Sequence, residues 1–186
     1  MRGIPLAMAL LAVLSLNQSA PAEVIDSSAS GFTVKHSVRI AAPPAEVYRR
    51  MTEDVAHWWN SSHTFSGKAQ NMSLDPRAGG CFCEKLGNGG SVQHMVVVYA
   101  DPGKVIRLQG GIGPMQALAV AGSMTWTFTP DGPGTKLEVT YGVGGYSPHG
   151  LQGMSIAADR VLGEQVSRLK NLIETGEAGK SAPTYK

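Results

Sequence analysis

From Phe32 the chain alternates strictly: Phe32, Val34, His36, Val38 and Ile40 share one side of an extended segment, with Thr33, Lys35, Ser37 and Arg39 on the other. That period of two predicts a half-buried strand carrying one imidazole on its apolar face. Pro43-Pro44 ends it and presets the first turn of a helix over 45–53, where Val47 and Met51 lie four apart. A second short helix is predicted through 55–59. Six more strands follow, around 69–74, 81–86, 91–99, 105–109, 117–129 and 136–143. Met124, Trp126 and Phe128 alternate with threonines, and Leu137, Val139 and Tyr141 alternate likewise, so these two strands present an aromatic-rich face to a common core. The period then changes. Ala158, Val161, Leu162, Val166, Leu169, Leu172 and Ile173 recur every three or four residues, which makes one long amphipathic helix stopped at Gly176.

Strand, two short helices, six strands and a long helix read as an α+β domain. A curved antiparallel sheet of about seven strands must cover its apolar face, and the C-terminal helix is the element long enough to do it. Composition agrees. Hydrophobic residues make up 42% and charged residues 16% of the 186, which excludes a disordered chain, and 23 Gly with 11 Pro fit a turn-rich β protein. The net charge of +2 comes with no run of Lys or Arg, so nucleic acid is not an expected partner. Residues 1–22 read as a signal peptide: Arg2, an apolar stretch from Ile4 to Leu16, then Ala20-Pro21-Ala22 as the cleavage site. The apolar stretch is too short for a stable span, which takes ~20 residues. The expectation is therefore export, to the periplasm or beyond, with cleavage after Ala22 and no membrane span afterwards. Residues 23–31 read as a linker, 32–175 as the domain, and 176–186 as a polar, disordered tail.

Ala41 to Tyr48 with its Pro43-Pro44, then Trp58-Trp59, Arg77 to Phe82, Gly122 to Trp126 and Gly134 to Leu137 resemble the SRPBCC (START-like) superfamily, nearest to polyketide cyclase-like members and homologues of the activator of heat-shock protein 90 ATPase. The resemblance runs from Phe32 to Ile173. It implies the helix-grip fold, with an apolar cavity between the sheet and the long helix, but it is poorly specific for chemistry, because such folds host binders, enzymes and chaperone partners alike.

The most distinctive local chemistry is Cys81-Phe82-Cys83. Residues two apart in a strand share a face, so both thiols point one way. A two-residue turn at Asn88-Gly89, favoured by positive φ, would pair residues whose numbers sum to 177, setting Cys83 opposite His94 and Cys81 opposite Val96. Three outcomes are open: two buried free thiols, a disulfide, or a metal held by Cys81, Cys83 and His94. Free thiols are the expectation, because Cα atoms two apart in a strand lie near the ~6.8 Å limit for a disulfide, and three ligands fall short of the four of structural zinc. His36 reads as a core histidine bonded to a neighbour, and of the adjacent Trp58 and Trp59 one is expected in the core and one at a cavity mouth. Glu84 and Glu138 have no visible partner. No nucleophile elbow or zinc-binding helix is present, so no catalytic set and no cofactor is nominated. The inward faces nominate His36, Trp59, Met95, Met124, Trp126, Phe128 and Tyr141 as ligand-binding residues. A carrier of a hydrophobic or amphipathic small molecule is the leading reading. A cyclase- or hydrolase-type enzyme using His36, Tyr141 or Trp126 is the alternative, and a chaperone-ATPase activator a distant third.

Overall fold

The computed structural model of the protein describes residues 23–179. The signal-peptide reading at 1–22 lies outside them. The expected linker is in fact a strand: β1 (Glu23–Ser28) pairs antiparallel with β2 (Gly31–Ile40), Ser28 opposite Gly31 and Val24 opposite Val34. A bulge between Val24 and Asp26 breaks its alternation, which is why the pattern of two is not visible there. After β2 come α1 (Pro44–Glu53) and α2 (Val55–Trp58), then β3 (Met72–Leu74), β4 (Cys81–Lys85), β5 (Ser91–Asp101), β6 (Val105–Gln109), β7 (Ala119–Asp131), β8 (Gly134–Tyr146) and α3 (Gln152–Thr175). The predicted strand at 69–74 shrinks to β3, because Ala69–Asn71 forms a 3-10 turn. All eight strands form one antiparallel sheet in the order β1-β2-β8-β7-β6-β5-β4-β3. With its long C-terminal helix this is the α+β helix-grip architecture.

The sheet curls because each strand twists and the pairs β1–β2, β4–β5 and β5–β6 carry bulges. Its inward face is continuous across the register: Val34, Tyr141, Met124, Leu108 and Val97 sit directly opposite one another from β2 to β5. α3 closes over β2 with Ala158, Leu162, Val166, Leu169 and Leu172 buried. Each buried leucine contributes about 1.5–3 kcal/mol, so this stripe outweighs the polar ties at its end, Arg168 Nε to Trp58 O at 2.8 Å and Lys170 Nζ to Arg39 O at 2.7 Å. Gly176 ends the helix in the left-handed region, φ 80°, its N–H on Leu172 O at 3.0 Å. The start of the expected disordered tail is ordered: Ala178 is buried, and its carbonyl accepts from Asn171 Nδ2 at 3.4 Å. Residues 180–186 lie outside the described residues. Among the described residues no helix is long and apolar enough to cross a membrane.

The two tryptophans also depart from expectation. Both are buried, because α2 stops at Trp58 and Trp59 adopts an extended backbone (φ −65°, ψ 140°) that turns its ring inward as well. Trp58 Nε1 donates to Met51 O at 3.1 Å and Trp59 Nε1 to His63 O at 2.9 Å. Each indole N–H thus finds a partner at no loss of apolar contact.

Candidate functional site

The β4–β5 hairpin creates the chemistry. Cys81 pairs with Val96 and Phe82 with Met95, as the register summing to 177 requires. The register then slips by one residue: Cys83 faces Gln93 rather than His94, and Glu84 faces Val92. His94 is the extra residue of this bulge. Cys81 and Cys83, both half-buried, occupy one face of β4, while Phe82 and Glu84 are buried on the other. The bulge carries His94 onto the Phe82–Glu84 face, beside Met95. The three-ligand metal reading is therefore corrected: Cys81 and Cys83 are joined in a disulfide, with Cα atoms 5.3 Å apart, and His94 lies across the sheet from them. The expectation of free thiols is corrected with it. It assumed a fully extended strand, whereas the chain at Phe82 is drawn in well below the ~6.4–6.8 Å rise of two such residues.

His94 Nε2 lies 3.0 Å from Glu84 Oε2, with both groups almost wholly buried. Glu84 also accepts the N–H groups of Phe65, at 3.0 Å, and Ser66. Burial pushes the Glu84 carboxyl up, but the hydrogen bonds from Ser66, Phe65 and His94 outweigh it and hold the group below the usual carboxylate range. Burial pushes the His94 imidazole below its ordinary value, a fall that Glu84 only partly offsets. A neutral imidazole beside an ionised carboxylate donates through Nε2–H, which leaves Nδ1 as an acceptor, with the Gln116 amide 3.5 Å away. The ring stacks on half-exposed Phe65 (centroids 5.9 Å apart) and meets Phe82 at 5.3 Å.

Nδ1 faces the place where β5 and β6 part. Val96–Gln109 is the last paired position; beyond it β6 turns at Gly110 into the 3-10 turn Gly113–Ala117, while β5 runs on to Ser91. Gly110 makes the close approach possible, since a Cβ there would stand 2.5 Å from His94 O. Tyr141 Oη donates to Gly110 O at 3.0 Å and receives Ile112 N–H at 3.4 Å, pinning the turning chain from below; burial pushes its hydroxyl up to about 12. Gln116 Nε2 donates to Gln93 O at 3.2 Å and lies 3.5 Å from His94 Nδ1. The result is a depression of about 390 Å³ walled by Gln93, His94, Met95, Gln109, Gly110, Gly111, Met115, Gln116 and Val120. Ligand sites fall in the range ~300–1,000 Å³.

The residues nominated from sequence are not gathered into one cavity. Trp59, Met124 and Trp126 line a space of about 10 Å³ between sheet and helices, together with Met51, Val55, Trp58, Leu74, Phe82 and Leu108. That holds one water at most. The roomy apolar cavity expected beside Trp126 is corrected accordingly: Trp58 (6.0 Å from Trp126), Trp59 and Phe82 (5.2 Å from Trp59) fill it with their own rings. Phe128 packs on Tyr48 at 5.5 Å. His36 is a core residue of the helix–sheet seam, its Nε2 3.1 Å from Asp159 Oδ1 on α3. Tyr141 is the pin described above, and only Met95 reaches the depression. Glu84 and Gln116 were missed. The signal for Glu84 was a carboxylate on the apolar face of a strand; the bulge that supplies its partner leaves no local mark.

The family model described as polyketide cyclase / dehydrase and lipid transport matches residues 31–174. No curated relative matches the sequence. Among solved structures, the chain is similar to a conserved protein of unknown function from Enterococcus faecalis (TM-score 0.57, 13% identity, 89% of this chain and 82% of that one). It is similar too to protein Ms6760 from Mycobacterium smegmatis (0.53, 19%, 89% and 99%) and to DynU16, a protein of the dynemicin biosynthetic locus (0.53, 19%, 80% and 49%). At these identities the likeness is one of fold.

Proposed function

The chain belongs to the polyketide cyclase / dehydrase and lipid transport family, and from that premise we propose that it is an exported binder of an amphipathic small molecule. The observation that carries this reading is the depression at the β5–β6 fork, where one imidazole and three glutamines share a wall with Met95, Met115 and Val120. A ligand hydroxyl would donate to His94 Nδ1 and a carbonyl would accept from Gln116, while its apolar body rests on the two methionines, side chains that adapt to irregular shapes. The binding site thus moves from the filled helix–sheet seam to the mouth of the grip.

A thermal-shift screen of amphipathic ligands (fatty acids, isoprenoids, flavonoids, sterols) tests it. At 100 times its dissociation constant a binder stabilises the fold by about 2.7 kcal/mol, and Gln116→Ala is expected to weaken that shift. A screen in which nothing shifts the melting point, or a shift unchanged in both Gln116→Ala and Met95→Ala, overturns the reading. Export is supported by the leader pattern of the sequence: Arg2, the apolar stretch from Ile4 to Leu16, and Ala20-Pro21-Ala22. N-terminal sequencing of the secreted protein should therefore start at Glu23, and a start at Met1 overturns export.

One observation favours a second, enzymatic reading. The buried Glu84 fixes the tautomer of His94 and leaves its basic nitrogen facing the depression, the arrangement of a general base. His36, Tyr141 and Trp126, on which a cyclase- or hydrolase-type reading would otherwise rest, lie elsewhere. Turnover lost in His94→Gln with ligand binding retained would establish that reading over the carrier.

A further inference from the structure

The disulfide and the bulge fall at the same point of the hairpin. The ring closed by Cys81 and Cys83 encloses Phe82, and the register slips between Phe82 and Cys83. Closing so short a loop restricts the unfolded chain little, so the bond adds little to fold stability. Half-buried on the outer face, it is also within reach of solvent thiols. Its structural consequence is local. In the unslipped register Cys83 would face His94, and His94 would point to the outer face with the sulfurs, away from Glu84.

The turn accommodates both registers. As observed, Lys85 pairs with Ser91, Leu86 N–H donates to Gly90 O at 2.8 Å, and Asn88 and Gly89 take positive φ of 58° and 78°. The same Gly87-Asn88-Gly89-Gly90 closes the unslipped register with Asn88-Gly89 as a two-residue turn, which wants the same two positive φ values. Of the residues whose faces a slip exchanges, Ser91, Val92 and Gln93 are exposed or half-buried, so what opposes it is His94 itself, which gives up its bond to Glu84 and its contacts with Phe65 and Phe82.

We propose that Cys81–Cys83 is an exchangeable disulfide whose redox state sets the β4–β5 register, and thereby whether His94 stands in the ligand depression or on the opposite face. The inference rests on the binding reading only in calling that depression a ligand site. Reduction is a two-electron exchange with a dithiol. One thiolate of the reductant attacks a protein sulfur to give a mixed disulfide, its second thiol closes the reductant's own ring, and Cys81 and Cys83 leave as two thiols carrying the two protons. β4 then extends, the bulge relaxes, and His94 leaves Glu84.

Cross-strand backbone NOEs read the register without any ligand, so a failure here is separate from a failure of the screen above. In the oxidised protein, Cys83–Gln93 and Glu84–Val92 contacts are expected. With dithiothreitol, and in the Cys81→Ala/Cys83→Ala variant, these should give way to a residue-83–His94 contact and a Glu84–Gln93 contact, with the β7–β8 contacts unchanged. Retention of the contact between residue 83 and Gln93 after reduction overturns the proposal. So does loss of the β7–β8 contacts on reduction, since the bond would then be holding the whole fold.

Discussion

A buried imidazole beside a buried carboxylate makes His94 a titration probe of the site. In the unfolded chain it takes up a proton near pH ~6.5, but in the fold burial resists that proton, so its pKa is lowered. The unfolded state therefore binds more protons just below that pH. The stability that His94 contributes is fully present above ~6.5 and is lost as pH falls toward the folded value. Glu84, whose folded pKa is also lowered, adds its own loss only below its unfolded value near ~4.3. Between pH 7.5 and 5.5 the urea midpoint should consequently fall in the wild type and fall less in His94→Gln. Equal falls in the two proteins would locate the pH response elsewhere. Little of this site was legible from sequence. Both residues could be seen, His94 beside the thiols and Glu84 without a partner, but an extra residue in one strand reverses a face, and no periodicity announces where it falls.

The elements were far more legible than the contacts between them. Period two at 32–40, 117–129 and 136–143 and the three-to-four repeat before Gly176 mark β2, β7, β8 and α3 because each has one buried face. β1 escaped because a bulge interrupts a short Ser-rich strand, and Trp59 because a helix ended one residue early. The seam between α3 and β2 shows what element-level pattern omits. Gly163 sits mid-helix, where Ala would be favoured by about 1 kcal/mol, yet a Cβ there would lie 2.7 Å from the His36 ring. Gly163→Ala should accordingly destabilise the protein in chemical denaturation despite its better helix propensity. In a His36→Ala background the same change should become neutral or stabilising, since the obstructing ring is gone. A Gly163→Ala change that stabilises the wild type would show that the ring yields freely and that α3 is not held at this distance.

At the scale of the molecule, the grip is closed on itself by a chain of rings. Trp126, Trp58, Trp59, Phe82, His94 and Phe65 follow one another at centroid distances of 6.0, 5.5, 5.2, 5.3 and 5.9 Å from the centre of the sheet to the depression. The seam contains about 10 Å³ of free space because these side chains occupy it, so wild-type protein should gain no stability from small apolar solutes such as indole. Trp126→Ala removes the fully buried ring at the start of this chain. Truncating a buried Trp costs ~3–5 kcal/mol, with the spread set by how far the site collapses. If Trp58 and Leu108 hold their places, the void stays dry and apolar and takes up the lost side chain as a free molecule. Indole at 100 times its dissociation constant then restores about 2.7 kcal/mol. At ~2–4 °C per kcal/mol that is a rise of about 5–10 °C in melting point, confined to the variant. An amphipathic ligand of the depression should stabilise wild type and variant alike. Indole raising the wild-type melting point equally would mean that the seam opens to ligands in solution, and would return the binding site to the core of the grip.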